Sequence, residues 1–184
     1  GNVAISSQCG SADLLKALGV KIDAPMEIMK KALDEIGICF MFAPLFHPAM
    51  KYAAPIRREI GVRTVFNILG PLTNPAGAKG QVAGVFRREL VHTLAEVLKN
   101  SGLKRAFVVF GRDGFDEVTL TGETSVSELK NGEVRDDEVN PEDFGLKRAS
   151  GKTLQGGDVD FNKNLAIKIL SGDIGPPRDM VLLN

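Results

Sequence analysis

The sequence is short of several things, and each shortage narrows what the chain can do. It has two cysteines in 184 residues. Cys9 and Cys39 lie in unlike contexts without metal-ligand spacing, and so few thiols point to a reducing compartment, read here as the cytoplasm. It has no excess of either charge, with Lys and Arg totalling 23 and Asp and Glu totalling 23. No field across the whole chain therefore draws in nucleic acid or an anionic membrane surface, and any anion site must be built locally. No stretch approaches the roughly 20 apolar residues of a membrane helix, and no charged-then-apolar leader opens the chain. Internal repeats and low-complexity tracts are missing as well.

What is present is enough for one core. With 43% hydrophobic and 25% charged residues over 184 positions, one globular domain spanning residues 1–184 is expected. Both ends read as boundaries inside a longer protein. The start, Gly1-Asn2-Val3, runs almost at once into a strand-like segment, and the end, Met180-Val181-Leu182-Leu183-Asn184, stops in an apolar run.

Apolar spacing at Leu14, Leu15 and Leu18 predicts a short helix that Ser11 or Asp13 caps. A second helix is expected from Pro25, in a first-turn position, to Gly37, in a stop position. The continuous apolar run Ile38-Cys39-Phe40-Met41-Phe42 predicts a buried strand. Residues 48–60 read as a basic helix, 81–86 as a strand, 90–98 as a helix ending at Gly102, and 106–110 as a second buried strand; strand, helix, strand is the βαβ pattern. Alternation over residues 119–139, broken at Thr121-Gly122 and Asn131-Gly132, predicts antiparallel hairpins beside the main sheet. Residues 160–170 form one more amphipathic helix, and Gly175-Pro176-Pro177 breaks the chain before a last one. The fold class is α/β, a mostly parallel central sheet flanked by helices with added antiparallel hairpins.

Four segments carry candidate chemistry. Residues 1–13 put Ser6, Ser7, Gly10 and Ser11 between a strand and a helix start. Exposed N–H groups and the positive end of a helix dipole favour phosphate in such a turn, although by spacing alone an ordinary serine-rich turn is the commoner case. Arg57, in the cluster Arg57-Arg58-Glu59, presents a planar fork that matches a carboxylate; a solvated basic helix face is the competing reading. His47 precedes a proline, where a structural role is commoner than acid–base work. The turn Asn67-Ile68-Leu69-Gly70-Pro71-Leu72-Thr73-Asn74-Pro75 is too apolar for a linker, so something rigid is shaped there. Finally, Asp113, Asp116 and Glu117 follow an apolar strand. The C-terminal edge of an open α/β sheet is where ligands bind, and Asp116 with Glu117 suit a metal shared with phosphate as well as they suit a solvated acidic turn.

Together these segments resemble the anthranilate phosphoribosyltransferase family. The resemblance is carried by Gly1-Asn2, Ser6-Ser7, Gly10-Ser11-Ala12-Asp13, Phe42-Ala43-Pro44, His47-Pro48-Ala49-Met50, Arg57-Arg58-Glu59, Arg63-Thr64-Val65-Phe66-Asn67, Gly70-Pro71-Leu72-Thr73-Asn74-Pro75 and Asp113-Gly114-Phe115-Asp116-Glu117, in the family's order along nearly the whole chain. It implies the catalytic α/β domain of a pentosyltransferase that joins anthranilate to phosphoribosyl pyrophosphate in tryptophan biosynthesis. It further implies that Gly1, Asn2, Ser6, Ser7 and Ser11 line the phosphoribosyl pyrophosphate site, and that Asn2 and Arg57 contact anthranilate, with His47, Gly70 and Pro71 as weaker contributors. Asp116 and Glu117 would bind Mg²⁺, no covalent nucleophile would be needed, and the full-length protein would be a homodimer. Two positions depart from the family's pattern: Val3 stands where an arginine is usual, and Phe110 where a histidine is usual. The family's N-terminal helical domain, glycine-rich pyrophosphate loop and metal-binding serine are not among these 184 residues, so the segment alone is expected to be inactive. A pyrimidine nucleoside phosphorylase of the same fold, or a non-catalytic relative that binds a ligand or nucleic acid, are the alternatives.

Overall fold

The computed structural model describes residues 2–3, 8–60 and 66–184, with the side chains of residues 54, 57 and 58 outside the description. In chain order the described elements are α1 (Ser11–Ala17), α2 (Met26–Ile36), α3 (Ala43–Phe46), α4 (Met50–Ile60), α5 (Phe66–Leu72), β1 (Gly80–Gly84), α6 (Leu90–Asn100), β2 (Arg105–Gly111), β3 (Thr124–Lys130), β4 (Glu133–Val139), α7 (Val159–Leu170) and α8 (Pro176–Leu183). They fall into two compact units, one of Gly1–Val62 with Gly156–Gly172 and the other of Arg63–Gln155 with Asp173–Asn184.

The first unit is helical. α1 begins at Gly10, whose N–H donates to Asp13 Oδ2 at 3.0 Å. It packs on α7, and Ala12 is buried. α7 is capped by Asp158, which accepts from the Phe161 N–H at 2.8 Å and so satisfies one of the free donors of the first turn. Pro25 occupies the N-cap of α2, and Gly37 ends that helix in the left-handed conformation, φ +77°. Gly37 matches what glycine does best at a helix end, whereas Pro25 stands at the N-cap, one residue before the first-turn position expected of it.

One expectation fails in this unit. Residues 38–42 form no strand; the chain there is irregular, Ile38 is 70% exposed, and α3 follows. A continuous apolar run has no period that specifies a strand, none of residues 38–42 is fully buried, and Pro44, near the start of α3, sets the backbone for a helical turn.

The second unit holds the sheet, in the order β1-β2-β3-β4. β1 and β2 are parallel with α6 between them in sequence, which is the expected βαβ unit, and β3 and β4 add antiparallel pairings. The β3–β4 turn is Asn131-Gly132, both at positive φ, +53° and +80°. Asn-Gly suits that turn because neither residue resists the left-handed region strongly. The fold is thus α/β with a mixed sheet flanked by helices.

α6 buries Val91, Leu94, Ala95 and Leu98, spaced i, i+3, i+4, i+7, against Ala83, Val85, Ala106, Val108 and Leu129. That spacing makes one continuous apolar stripe. Strand register then sets a polarity gradient on the face under α6. Ala106, Leu129 and Val134 form one row, Val108, Ser127 and Asp136 the next, and Phe110, Ser125 and Glu138 the third. The last two rows end in bonds to the helix and to the turn just before it, His92 Nδ1 to Asp136 at 3.0 Å and Arg88 to Glu138 at 2.8 Å. Phe110, at the position where the family pattern has histidine, packs against this core. The expected rigid turn at residues 67–75 opens as a helix, α5, before it turns at Asn74.

Candidate functional site

The acidic loop runs from Arg112 to Glu123, between β2 and β3, and is closed at its stem. The Arg112 N–H donates to the Glu123 carbonyl at 3.0 Å, and the Arg112 guanidinium pairs with Glu123 at 2.7 Å and with Glu138 at 2.8 Å. A proton shared between the neighbouring Glu123 and Glu138 carboxyls pushes Glu123 up and Glu138 down from the usual carboxylate range. The same guanidinium draws both carboxylates toward the charged form.

Three of the carboxylates in this loop, Asp113, Asp116 and Glu117, divide into two kinds. Asp113 is spent inside the loop. Its Oδ1 accepts from the Phe115 N–H at 3.1 Å, and its Oδ2 accepts from the hydroxyls of Thr119 and Thr121. Asp113 thereby ties the arm leaving β2 to the arm entering β3. Gly111, Gly114 and Phe115 tighten the turn through Gly111 N–H to Phe115 carbonyl, 2.8 Å, and Gly114 N–H to Gly111 carbonyl, 2.9 Å. Gly114 sits at φ +94°, a conformation that glycine adopts without strain.

Asp116 and Glu117 are left at the apex, both exposed. The loop crosses the C-terminal end of β1 so closely that a β-carbon on Gly84 would lie 1.6 Å from the Asp116 carbonyl oxygen. Although the Glu117 side chain is exposed, protein crowds its carboxyl. Desolvation, and after it the neighbouring Asp116 charge, push its pKa up. Among the described residues neither carboxylate has an ion-pair partner. No group of three His, Cys, Asp or Glu side chains that could hold a metal occurs among those residues either. Two adjacent, mutually repelling carboxylates gain from a shared cation. Mg²⁺ in particular takes one or two carboxylates and fills its remaining positions with water and phosphate oxygens, so this donor set fits it.

After Glu117 the main chain is held from a distance. Val118 donates its N–H to Asn184 Oδ1 at 2.8 Å, and its carbonyl accepts from Asn184 Nδ2 at 3.0 Å. Sequence reasoning missed Asn184, Thr119 and Thr121. A side chain that works from 66 residues away leaves no local pattern, and the two threonines resemble any strand-edge residues.

The other expected site residues are placed as follows. In the first unit Asn2 and Ser11 are brought together: Asn2 N–H donates to Ser11 Oγ at 3.3 Å, and the Asn2 carbonyl accepts from the Ala12 N–H at 3.0 Å. The segment before α1 thus folds back across the helix start. Gly1, Ser6, Ser7 and the Arg57 side chain lie outside the described residues, while position 57 falls within α4. His47 ends α3 and is half-buried; its N–H donates to the Ala43 carbonyl at 3.0 Å. In the second unit Gly70 and Pro71 belong to α5 and contribute carbonyls. That of Gly70 accepts from the Thr73 N–H and hydroxyl, both at 3.2 Å, and that of Pro71 from Gln81 Nε2 at 2.8 Å. Among the described residues no helix is long and apolar enough to cross a membrane.

Comparison with known proteins adds to this geometry. Anthranilate phosphoribosyltransferase from Moorella thermoacetica is 53% identical over all 184 residues, and that from Geotalea uraniireducens 54%. The chain spans about half the length of these relatives, 54% and 53% respectively. Among solved structures, the anthranilate phosphoribosyltransferase of Thermus thermophilus superposes with a TM-score of 0.91 at 50% identity, over 98% of this chain and 54% of that one. The Saccharomyces cerevisiae enzyme, in complex with PRPP and Mg, superposes with a TM-score of 0.86 at 28% identity, over 100% of this chain and 52% of that one. Residues 1–184 match throughout the family described as "Glycosyl transferase family, a/b domain", and the chain belongs to that family.

Proposed function

We propose that this chain is one α/β catalytic domain, cut from an anthranilate phosphoribosyltransferase. That enzyme would transfer the phosphoribosyl group of phosphoribosyl pyrophosphate to anthranilate, giving N-(5-phosphoribosyl)anthranilate and pyrophosphate in tryptophan biosynthesis. The observation that carries the reading is identity above 50% along the whole chain with relatives of that name, joined to an acidic apex at the C-terminal edge of the sheet.

In this reading Gly1, Asn2, Ser6, Ser7 and Ser11 form the turn that receives the phosphoribosyl donor. The folded-back Asn2 beside Ser11 supports it, since both then stand at a helix start. Arg57 holds the anthranilate carboxylate in its planar fork so that the amine points at the ribose C1, with lesser contributions from His47, Gly70 and Pro71. Asp116 and Glu117 hold Mg²⁺, which when bound supplies positive charge to the departing pyrophosphate. No side chain need act as a nucleophile; positioning and charge stabilisation carry the rate. Neither cysteine is joined in a disulfide, which supports a cytoplasmic setting. A homodimer of the full-length protein completes the proposal.

The test is a steady-state assay of the full-length enzyme with anthranilate, phosphoribosyl pyrophosphate and Mg²⁺, with the Arg57→Ala variant alongside. Arg57→Ala should raise the KM for anthranilate far more than that for the donor. Equal effects on both substrates would remove Arg57 from the site. Phosphorolysis of pyrimidine nucleosides without anthranilate turnover would overturn the whole assignment. The 184-residue segment by itself should melt cooperatively and show no turnover.

A further inference from the structure

We infer that Asn184, a residue that touches no substrate in the reading above, positions the carboxylate of Glu117 by holding the main chain of Val118 on both sides. The inference rests on the proposed metal role of Asp116 and Glu117.

The side-chain amide of Asn184 is almost fully used. Its oxygen accepts from the Val118 N–H at 2.8 Å, and its nitrogen donates to the Val118 carbonyl at 3.0 Å and to the Met180 carbonyl at 3.0 Å. The bond to Met180, one turn back in α8, fixes the direction of the amide. The pair of bonds to Val118 then imitates a β-ladder rung made by a side chain. Both main-chain groups of the residue after Glu117 are thereby pinned to a residue next to α8, 66 positions away in sequence.

On the other side of the apex the Asp113 clasp fixes the preceding arm, and the Asp116 carbonyl rests on Gly84. Residues 114–117 are left as a short span held at both ends. A carboxylate pair that is oriented before the cation arrives loses less conformational freedom on binding, and groups behind the ligating residues commonly matter to affinity for that reason.

No other side chain of similar size supplies this set of bonds. Asp lacks the donor and would set a carboxylate against two carbonyl oxygens. Ser is too short to reach both Val118 groups, and Gln displaces the amide by one methylene.

The measurement is a Mn²⁺ titration of the full-length protein by electron paramagnetic resonance, in the presence of inorganic pyrophosphate, for wild type, Glu117→Gln, Asn184→Ala and Asn184→Gln, with thermal melts of each. Asn184→Ala should weaken Mn²⁺ binding about 10-fold, with Asn184→Gln between it and wild type. A merely structural asparagine would lower the melting temperature and leave the Mn²⁺ affinity where it was, and that result overturns the inference. If Glu117→Gln also leaves Mn²⁺ binding unchanged, the metal assignment itself falls. If Glu117→Gln weakens binding and Asn184→Ala does not, the metal assignment stands and only the role of Asn184 fails. Should Asn184→Ala not fold, hydrogen exchange at the Val118 amide of the wild-type protein decides. Protection is expected from the bond to Asn184, and exchange as fast as an open loop overturns it.

Discussion

The carbonyl oxygen of Asp116 fills the place where a side chain on Gly84 would begin, 1.6 Å from that β-carbon position. Gly84 closes β1, so the acidic loop rests directly on the end of the strand rather than arching over it. Its height above the sheet edge is set by the absence of one carbon atom.

Gly84→Ala should therefore displace the loop. The backbone of Gly84 is not in the left-handed region, so the cost comes from collision with main-chain atoms that cannot rotate away. Over-packing of this kind costs about 1–3 kcal/mol. We expect a lowered melting temperature together with weaker Mn²⁺ binding in the full-length protein. A variant that melts and binds like wild type would show that the loop moves aside freely.

Asp113→Ala removes the acceptor for Phe115 N–H and for two threonine hydroxyls, and Thr119 is only 1% exposed. The Thr119 hydroxyl would keep only its 3.3 Å contact with Thr121 Oγ1, and a buried donor whose main partner is lost costs up to about 1–3 kcal/mol. Thr121→Val removes a single donor from a less buried place and should cost less. Urea denaturation of both variants checks the order, and a Thr121→Val loss equal to or larger than that of Asp113→Ala would refute the clasp.

Asp136 is held below the ordinary aspartate value of 3.8, first by the hydrogen bond from Ser127 and then by His92. A carboxylate whose folded pKa is lowered adds stability that is present above its unfolded pKa and is lost as pH falls through its folded pKa. Ser127→Ala should therefore destabilise the protein at neutral pH. Its difference from wild type should shrink as the pH drops below 3.8. Denaturation midpoints measured between neutral and strongly acidic pH test this, and a difference independent of pH would mean that Ser127 acts only through packing.

Asp158→Ala should cost about 1 kcal/mol by uncapping α7, because the carboxylate accepts from the Phe161 N–H at 2.8 Å. Asp158→Ser should restore most of it in a chemical melt. An unaffected alanine variant would indicate that Asn162, which bonds Gly157 at 2.8 Å and 3.0 Å, already fixes the helix start.

Much of the second unit was legible in the sequence because its signals are local. β2 is an apolar run ended by Gly111, α6 has a stripe at helical spacing, and Asn131-Gly132 names its own turn. The acidic apex was legible too, since it follows a strand that ends in glycine. The run at residues 38–42 misled because apolar content without period does not choose between strand and coil, and no partner strand is recorded in the sequence. The clasp on Asp113 and the grip of Asn184 on Val118 were illegible for another reason. Their partners are six, eight and 66 positions apart, and only the folded chain sets those distances. Gly84 carried no signal either, because a close approach of two backbones has no side chain to announce it.

The polarity gradient beneath α6 ends on β4, the outermost strand on that side of the sheet among the described residues. Five of its seven residues, Glu133, Arg135, Asp136, Asp137 and Glu138, are charged. An outermost strand offers a row of unpaired main-chain groups to any extended segment that drifts past, which is how sheets of separate molecules fuse. A newcomer to this border would have to seat its side chains among four carboxylates, two of them already engaged by His92 and Arg88. Charge along such an edge disfavours pairing with foreign strands, and here two of the acids also tie β4 to α6 and to the turn before it.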